Sequence, residues 1–432
     1  MTIPQDGSPA INIRIMSYLV AFLFLHNYYY SNGYRMLEGG TTMKKAIIYQ
    51  GEFAYNAGNI FTEALGNGLK EQEYEVTYLD LRDRDQQEIA RNRRFYYDKD
   101  MVLALNAIRP SIDQDDFRYY RDTGCVFIAI LIDPPLLQYP RLFFNNDLLT
   151  CIDRTHIRFL EQYLKKTIPA TVRHLPHGGC FSPQPPTKDR RRFDLFFAGT
   201  FTDPAESYRR IEEFPRGLRQ VFHDAIELLL KNDNLPVFDA LAQAMRTYGL
   251  DVHTDREAFN LLVTHYRPLD TYIRAEKRLR TITALDQAGI TLHLWGKNWP
   301  KYQFKHHRIY AARNLDEINY LMTRSKIVLD LGFYEDGSHE RVFTAMLNGA
   351  VAVAADNPYH RENFTDGRDI CLYQFTRPEQ LAESLRQLLA DDPRRQAVAA
   401  AGKHNAEQHH SWKHRAATLI DYVRQYRQAI PP

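Results

Sequence analysis

Residues 325–349, SKIVLDLGFYEDGSHERVFTAMLNG, hold the most chemically suggestive spacing in the chain. Ile327, Val328, Leu329 and Leu331 read as a buried strand. Gly332 to Gly337 reads as a loop at its carboxyl end. Ser338 then stands where a hydroxyl oxygen can accept from a free N–H of a helix's first turn. Val342, Phe343, Met346 and Leu347 fall on one apolar helix face, and Gly349 suits the left-handed position that closes a helix. A helix start at the carboxyl edge of an α/β sheet binds anions, because unpaired N–H groups and the positive end of the helix dipole converge there. Arg341 in the first turn works against that dipole unless an anion shares the site. The alternative is a surface arginine paired with Asp336 or Glu335. The chemistry on offer is phosphate binding.

Other residues carry weaker signals. Lys297 follows Trp295-Gly296 at a strand end, which suits a phosphate contact or a solvated loop lysine equally. His177, in PHGG after another strand end, can line a cleft and touch a ligand or act as a base, against the plainer reading of a loop histidine. Gly58 and Asn59 end a loop that begins at Gly51 and can bring backbone near a ligand. That loop lacks G-x-G-x-x-G, which argues against a dinucleotide-binding oxidoreductase. Asp-x-Asp occurs at Asp83/Asp85 and Asp98/Asp100, both amid Arg and Lys, so no metal centre is expected. His174-x-x-His177-x-x-Cys180 lacks a fourth zinc ligand of obvious spacing. His404, His409, His410 and His414 read as the solvated face of a helical tail. The runs Arg91–Arg94 and Arg190–Arg192 read as solvated, with anionic lipid headgroups as the alternative partner.

The elements that must position these groups alternate between strand and helix from Lys44 onward. Ala46–Tyr49, Glu75–Leu81, Val126–Ile132, Leu148–Ile152 and Thr171–Leu175 read as strands, with a helix over about 154–165. Asp133-Pro134-Pro135 stops the third of them. This is βαβ organisation, hence a mainly parallel sheet. Ser182–Arg192, SPQPPTKDRRR, reads as an exposed linker, and a second sheet begins at Phe193. Residues 205–289 are helical in pattern and long for one crossover, so a helical insertion is expected there. Thr291–Trp295, Ile327–Leu331, Ala350–Ala354 and Ile370–Phe375 complete the second set of strands, and about 378–428 is helical.

The predicted organisation is two βα halves, 43–181 and 193–410, joined by the linker at 182–192 and followed by a C-terminal helix at 411–432. Residues 1–42 stand apart. Their apolar run at 15–25 is short of the ~20 residues that span a bilayer. Met43 leads directly into KKAIIYQG, a fitting first strand. The leader is read as sequence upstream of the natural start, with an uncleaved anchor or a signal peptide as alternatives.

Composition sets the outer bounds. The 432 residues carry 55 Lys plus Arg against 53 Asp plus Glu, a net charge of +2 that gives no footing for wholesale nucleic-acid binding. At 44% hydrophobic and 25% charged the chain is globular. Four scattered cysteines, Cys125, Cys151, Cys180 and Cys371, read as free thiols in a reducing cytoplasm.

The stretch GSHERVFTAMLNGAVAVA resembles the nucleotide-sugar-binding domain of GT-B glycosyltransferases, in the group-1 branch that includes spore-maturation-type (CgeB-like) proteins. It has that branch's glycine-serine loop, arginine-x-phenylalanine helix start and A-M-x-x-G helix end. FDLFFAGTF with Tyr208-Arg209-Arg210, then ITLHLWGKNW, RNLDEINYLMTRSKIVLDL, ENFTDGRDICLY and DDPRRQAVAAAG are similar to the family's other segments in the same order, over about 193–425. The resemblance implies two Rossmann-like α/β domains facing a cleft, the donor on the C-terminal one and the acceptor on the N-terminal one, with retention of anomeric configuration. Relatives usually carry a second acid, which holds the donor ribose, where this chain has Thr344; the first of the pair matches Asp336. Thr344 can hydrogen-bond but carries no charge, which leaves a non-catalytic sugar-nucleotide- or glycan-binding homologue as the alternative.

In such an enzyme the departing nucleoside diphosphate is neutralised by helix N-termini and basic side chains rather than by a metal. The candidates here are the backbone of Gly199-Thr200 and Gly337-Ser338, with Arg341, Lys297 and His177 as catalytic groups. Gly296, Asp336, His339, Glu340 and Thr344 complete the expected donor set, and Gly58 and Asn59 the acceptor side. No cofactor is expected beyond the donor itself. The expected partners are a nucleotide sugar and a glycan, lipid-linked or protein acceptor, in the cytoplasm or peripherally at the inner membrane face.

Overall fold

The structure is a computed structural model that describes residues 43–110, 120–144, 146–168, 170–184, 191–299 and 303–429. The leader at 1–42 and part of the predicted linker, including Arg190, lie outside the described residues.

The N-terminal half runs β1 (Lys44–Gln50), α1 (Ala57–Lys70), β2 (Tyr74–Asp80), α2 (Arg84–Arg91), β3 (Met101–Leu105), β4 (Val126–Leu131), α3 (Tyr139–Leu142), β5 (Leu148–Cys151), α4 (Arg154–Phe159) and β6 (Thr171–His174). Its sheet is parallel throughout, in the order β2-β1-β3-β4-β5-β6. β3 and β4 are buried along their whole length, as central strands covered on both faces must be. The sequence reading passed over β3: MVLAL is a five-residue apolar run that periodicity alone does not distinguish from a turn of helix. The helix expected over 154–165 is α4, continued by a π-helical turn at Leu160–Leu164.

The C-terminal half opens with β7 (Phe193–Ala198) and then four helices, α5 (Pro204–Glu212), α6 (Arg216–Lys231), α7 (Val237–Thr247) and α8 (Arg256–Gln287). β8 (His293–Trp295), β9 (Arg308–Tyr310), α9 (Leu315–Thr323), β10 (Ser325–Leu329), α10 (Glu340–Leu347), β11 (Val351–Ala355), α11 (Pro358–Asn363) and β12 (Cys371–Tyr373) follow. The second sheet is also parallel, in the order β12-β11-β10-β7-β8-β9. The chain leaves β7 toward β8 and β9, then returns to build β10, β11 and β12 on the other side. The crevice above β7 and β10 is therefore the switch point where open α/β sheets bind ligands.

Three helices close the chain: α12 (Pro378–Ala390), α13 (Asp392–His409) and α14 (Trp412–Ala429). α14 returns to the N-terminal sheet. Gly68 of α1 brings the two helices so close that a Cβ there would meet the Lys413 backbone at 2.7 Å. Tyr426 donates to Asp147 at 2.7 Å, and Arg427 pairs with Asp100 at 3.3 Å. At the crossover His410 is buried and stacks on Phe343 at 4.8 Å, which corrects its reading as part of a solvated face. The tail turns under α10 there, so His410 closes the core. Among the described residues no helix is long and apolar enough to cross a membrane.

Candidate active site

Both halves contribute to a cavity of about 330 Å³ at the carboxyl edges of the two sheets. Tyr55, Phe61, Ile132, Asp133 and His177 line it from the N-terminal side. Gly199, Trp295, Gly296, Tyr334, His339, Glu340 and Arg341 line it from the C-terminal side. Its far end is apolar, with Leu315, Ile318 and Met322 of α9 around Trp295. Trp295 is itself held flat against Tyr310, with ring centroids 4.2 Å apart.

Arg341 sits over the switch point. Its guanidinium pairs with Asp330 at 2.5 Å, not with Asp336 or Glu335, and lies 5.2 Å from the Phe197 ring centroid. The pair is almost wholly buried, so the side chain is fixed before any ligand arrives. Arg278 of α8 lies over the same ring at 5.6 Å and donates to the Thr200 carbonyl at 3.0 Å. Its Nε is buried with no hydrogen-bond partner. Burial, and then the nearby Arg341, push this guanidinium down to about 10. Arg278 does not line the cavity; it adds positive charge behind Arg341, over the same Phe197 ring. Arg278 stands on α8, while Arg209 and Arg210 lie exposed on α5.

Gly199 and Gly296 end the neighbouring strands β7 and β8 and touch through their backbones. Gly199 donates to the Trp295 carbonyl at 2.9 Å, and a Cβ on Gly296 would run into the Gly199 carbonyl oxygen. Bare backbone thus forms this edge of the cavity. Next to it Tyr55 and Thr200 bridge the two halves, hydroxyl to hydroxyl, at 2.5 Å. Lys297 does not line the cavity; its ammonium lies 5.3 Å from the Tyr55 ring centroid. Left-handed backbone gathers around this rim: Tyr55 and Asn56 after β1, Asn106 and Ala107 after β3, and Asn298 after β8. Such residues cost ~1–3 kcal/mol each unless their surroundings fix them, and they concentrate at functional sites.

His177 is 4% exposed, and its Nδ1 has no hydrogen-bond partner. Burial holds its imidazole down to about 3. The lowered value favours the neutral, hydrogen-bonding form of the ring. His339, and not Ser338, occupies the position that caps α10, its Nδ1 lying 3.2 Å from the Arg341 amide. It also pairs with Glu340. Burial works to raise the Glu340 carboxyl, but His339, Arg341 and His177 pull it down to about 2. Glu340 is thus a buried anion at the cavity wall.

The loop before α10 is engaged elsewhere. Asp336 pairs with Arg154 at 2.9 Å, and its amide donates to Asp153 at 3.0 Å. Gly337 forms a β-bridge with Asp153, and a Cβ on it would meet the Ile152 carbonyl oxygen at 2.6 Å. Ser338 bonds to His360 at 2.9 Å. Asp336 and Gly337 thus latch the C-terminal half to the end of β5, while Ser338 is tied within its own half. Thr344 is equally occupied, accepting from the Cys180 amide at 3.1 Å. Gly58 and Asn59 do not line the cavity; Asn59 ties its own loop together through Gly51 and Asn56, and the neighbouring Tyr55 and Ala57 face the cavity instead.

The latch buries Glu335 beside Asp153, Asp270 and Arg274. Burial first, and then Asp153, push its carboxyl up from 4.5 to about 8. A raised folded value means the folded chain keeps a proton that the unfolded chain has released. The stability it contributes is therefore present at low pH and falls as pH rises from about 4.5 toward about 8. Glu335→Gln should melt higher than the parent, by roughly 2–4 kcal/mol at pH 8 and by little at pH 4.5. Thermal unfolding of both chains across that range checks it; a difference that shrinks with rising pH contradicts the burial argument.

Asp133 is the residue the sequence reading used only as strand punctuation. One carboxylate oxygen accepts from the Asn106 amide at 2.7 Å. The Asp-x-Asp residues are placed otherwise: Asp83 caps α2, Asp98 pairs with Lys45 and Lys99, and Asp100 receives the Lys45 amide.

Residues 274–421 match the family model described as glycosyl transferase-like. No curated protein matches the chain. Among solved structures, a sucrose-phosphate synthase from Thermosynechococcus elongatus is 11% identical, with 90% of this chain and 100% of that one covered and a TM-score of 0.46. Anabaena HepE in complex with UDP is 11% identical over 89% of this chain and 100% of its own, TM-score 0.47. TarM of S. aureus is 10% identical over 76% of this chain and 55% of its own, TM-score 0.42. The two parallel six-stranded sheets with their surrounding helices make this a two-domain α/β fold.

Proposed function

We propose that this chain moves a glycosyl group from a nucleoside-diphosphate sugar to a glycan, lipid-linked or protein acceptor, with no metal ion. The observation that carries the reading is the cradle at the switch point. Arg341 is fixed by Asp330, and the bare backbone of Gly199 and Gly296 lines the same cavity. Positive charge already in place stabilises the diphosphate as its charge grows. The apolar end around Trp295 suits a nucleobase, and His177 Nδ1 is free to bond a sugar hydroxyl or phosphate oxygen. The glycosyl transferase-like match over 274–421 supports the same reading, and HepE is a neighbour solved with UDP. The spore-maturation-type branch, a hexosyl donor, a role in cell-envelope glycan synthesis and a cytoplasmic, inner-face location belong to this proposal.

A second reading, nucleotide-sugar binding without turnover, is favoured by Thr344, which stands where relatives carry an acid and is bonded to Cys180. Donor hydrolysis across a panel of nucleotide sugars separates the two. The enzyme reading expects turnover that survives EDTA. Turnover abolished by EDTA contradicts the metal-free mechanism, and binding without turnover supports the second reading.

A further inference from the structure

We propose that a second, smaller cavity binds a primary ammonium group, as at the end of a short aminoalkyl chain, between the N-terminal half and the helical insertion. The proposal goes beyond the glycosyl-transfer reading and does not rest on it. The cavity has a volume of about 80 Å³. Pro134 and Pro135, after β4, and the side chains of α4 line one side of it. Val237 and Phe238 of α7, with Tyr266 and Arg274 of α8, line the other, and Glu335 completes it. It adjoins the larger cavity at two points of the chain. Asp133 and Tyr334 line the larger one, and their neighbours Pro134 and Glu335 line this one.

Its polar groups do not balance. The hydrogen-bond donors at its wall are already committed. The Thr155 hydroxyl donates to Asp153 at 2.6 Å and the Tyr266 hydroxyl to Asp270 at 3.1 Å. Arg274 donates to Asp270 at 2.8 Å and to the Phe333 carbonyl at 2.7 Å, and the Gln162 amide is bonded to His253 at 3.2 Å. Acceptors are left over. Glu335 is 5% exposed, and among the described residues its carboxyl forms no ion pair and meets only its own amide. His156 is 9% exposed, and its Nδ1 is buried with no partner. Burial favours the neutral form of that ring, in which one of the nitrogens accepts. Buried polar groups are ordinarily satisfied, so this pair calls for a ligand that donates.

The surroundings favour a cation. Asp153 and Asp270 stand near Glu335 against one guanidinium, Arg274, which Asp270 and a carbonyl already hold. Arg158 and Asp239 are exposed at the rim and offset each other. Phe159 and Phe238, with ring centroids 4.6 Å apart, add aromatic rings, whose faces attract cations. Among the described residues no set of three His, Cys, Asp or Glu side chains could hold a metal ion, so the cation is one that brings its own N–H donors. The volume admits a few water molecules or a short aminoalkyl head, and is too small for a sugar ring.

The ammonium takes the place of the proton that Glu335 keeps, and that proton leaves to solvent. The charged and titratable groups around the carboxyl are Asp153 after β5, His156 on α4, and Tyr266, Asp270, Arg274 and Lys277 on α8. Burial first, and then Asp153, set the carboxyl at about 8, so proton and ammonium compete below that pH and binding strengthens as pH rises through it.

The probe is ethylammonium chloride, followed by ligand-observed proton NMR on the full chain, with tetramethylammonium and sodium chlorides as competitors at equal ionic strength. A ligand of this size can reach about millimolar affinity. Ethylammonium should bind about tenfold more tightly at pH 8.5 than at pH 7, and neither competitor should displace it. Glu335→Gln should weaken binding at least about tenfold. That variant is expected to melt higher than the parent, so the loss reads the carboxylate and not a packing defect. His156→Phe, which removes the unpartnered nitrogen and keeps a ring, should also weaken it. Ethylammonium that fails to bind the parent chain, that binds equally at both pH values or equally to Glu335→Gln, or that tetramethylammonium or sodium displaces, overturns the inference.

Discussion

Arg341→Ala should lower donor turnover at least about tenfold, and up to about a thousandfold, the range found when one group that stabilises transition-state charge is removed. The guanidinium is held over the switch point by Asp330 at 2.5 Å and over Phe197 at 5.2 Å, so no side-chain ordering is left for the reaction step. The same variant should also unfold more easily, because it strands Asp330 as a buried charge; breaking such a pair costs about 3–5 kcal/mol. A double variant separates the effects. Arg341→Met with Asp330→Asn removes both charges and keeps most of the volume. It should recover much of the stability while turnover stays low. Turnover that returns with stability would make Arg341 a structural residue only.

The second large effect is expected at Gly296. A Cβ there runs into the Gly199 carbonyl oxygen, at the point where β7 and β8 are locked by the Gly199 amide on Trp295. Trp299 donates to the same Gly199 carbonyl at 2.6 Å, so the oxygen cannot swing aside freely. Gly296→Val should part the two strand ends and push a side chain toward the cradle. Overpacking of this kind costs about 1–3 kcal/mol. Nucleotide affinity should fall by more than that loss explains, because the bare backbone is where phosphate comes closest. Binding and denaturant unfolding measured on the same preparation check it; affinity that holds while stability drops places the phosphate elsewhere.

The residues themselves show how far a sequence carries. Val126–Leu131 and Val351–Ala355 are apolar without a break, and long buried runs declare central strands. Arg308–Tyr310 is too short and too mixed to be seen, since its pairing with β8 alone makes it a strand. Near the site, the positions that face the cavity from one local motif, His339, Glu340 and Arg341, were legible because a helix start fixes which side chains converge. Asp336 and Gly337 were not, because their partners, Asp153 and Arg154, are set by how the two halves meet, and Ser338 was not, because its partner His360 comes from a later helix of its own half. Asp133 and Tyr55 were missed for a related reason. Asp-Pro-Pro reads as a strand stop, and no periodicity announces a tyrosine with left-handed backbone. Arg278 sits far along a 32-residue helix, and only the fold brings it over Phe197.

The account stands on the cradle taking a nucleoside diphosphate, and calorimetric titration of UDP and GDP into the parent chain, in EDTA, asks that directly. One of the two should bind at a single site, with the affinity cut at least about tenfold when Arg341 and Asp330 are replaced together. Heat signals absent for both nucleotides, or an affinity unchanged in the double variant, would contradict it.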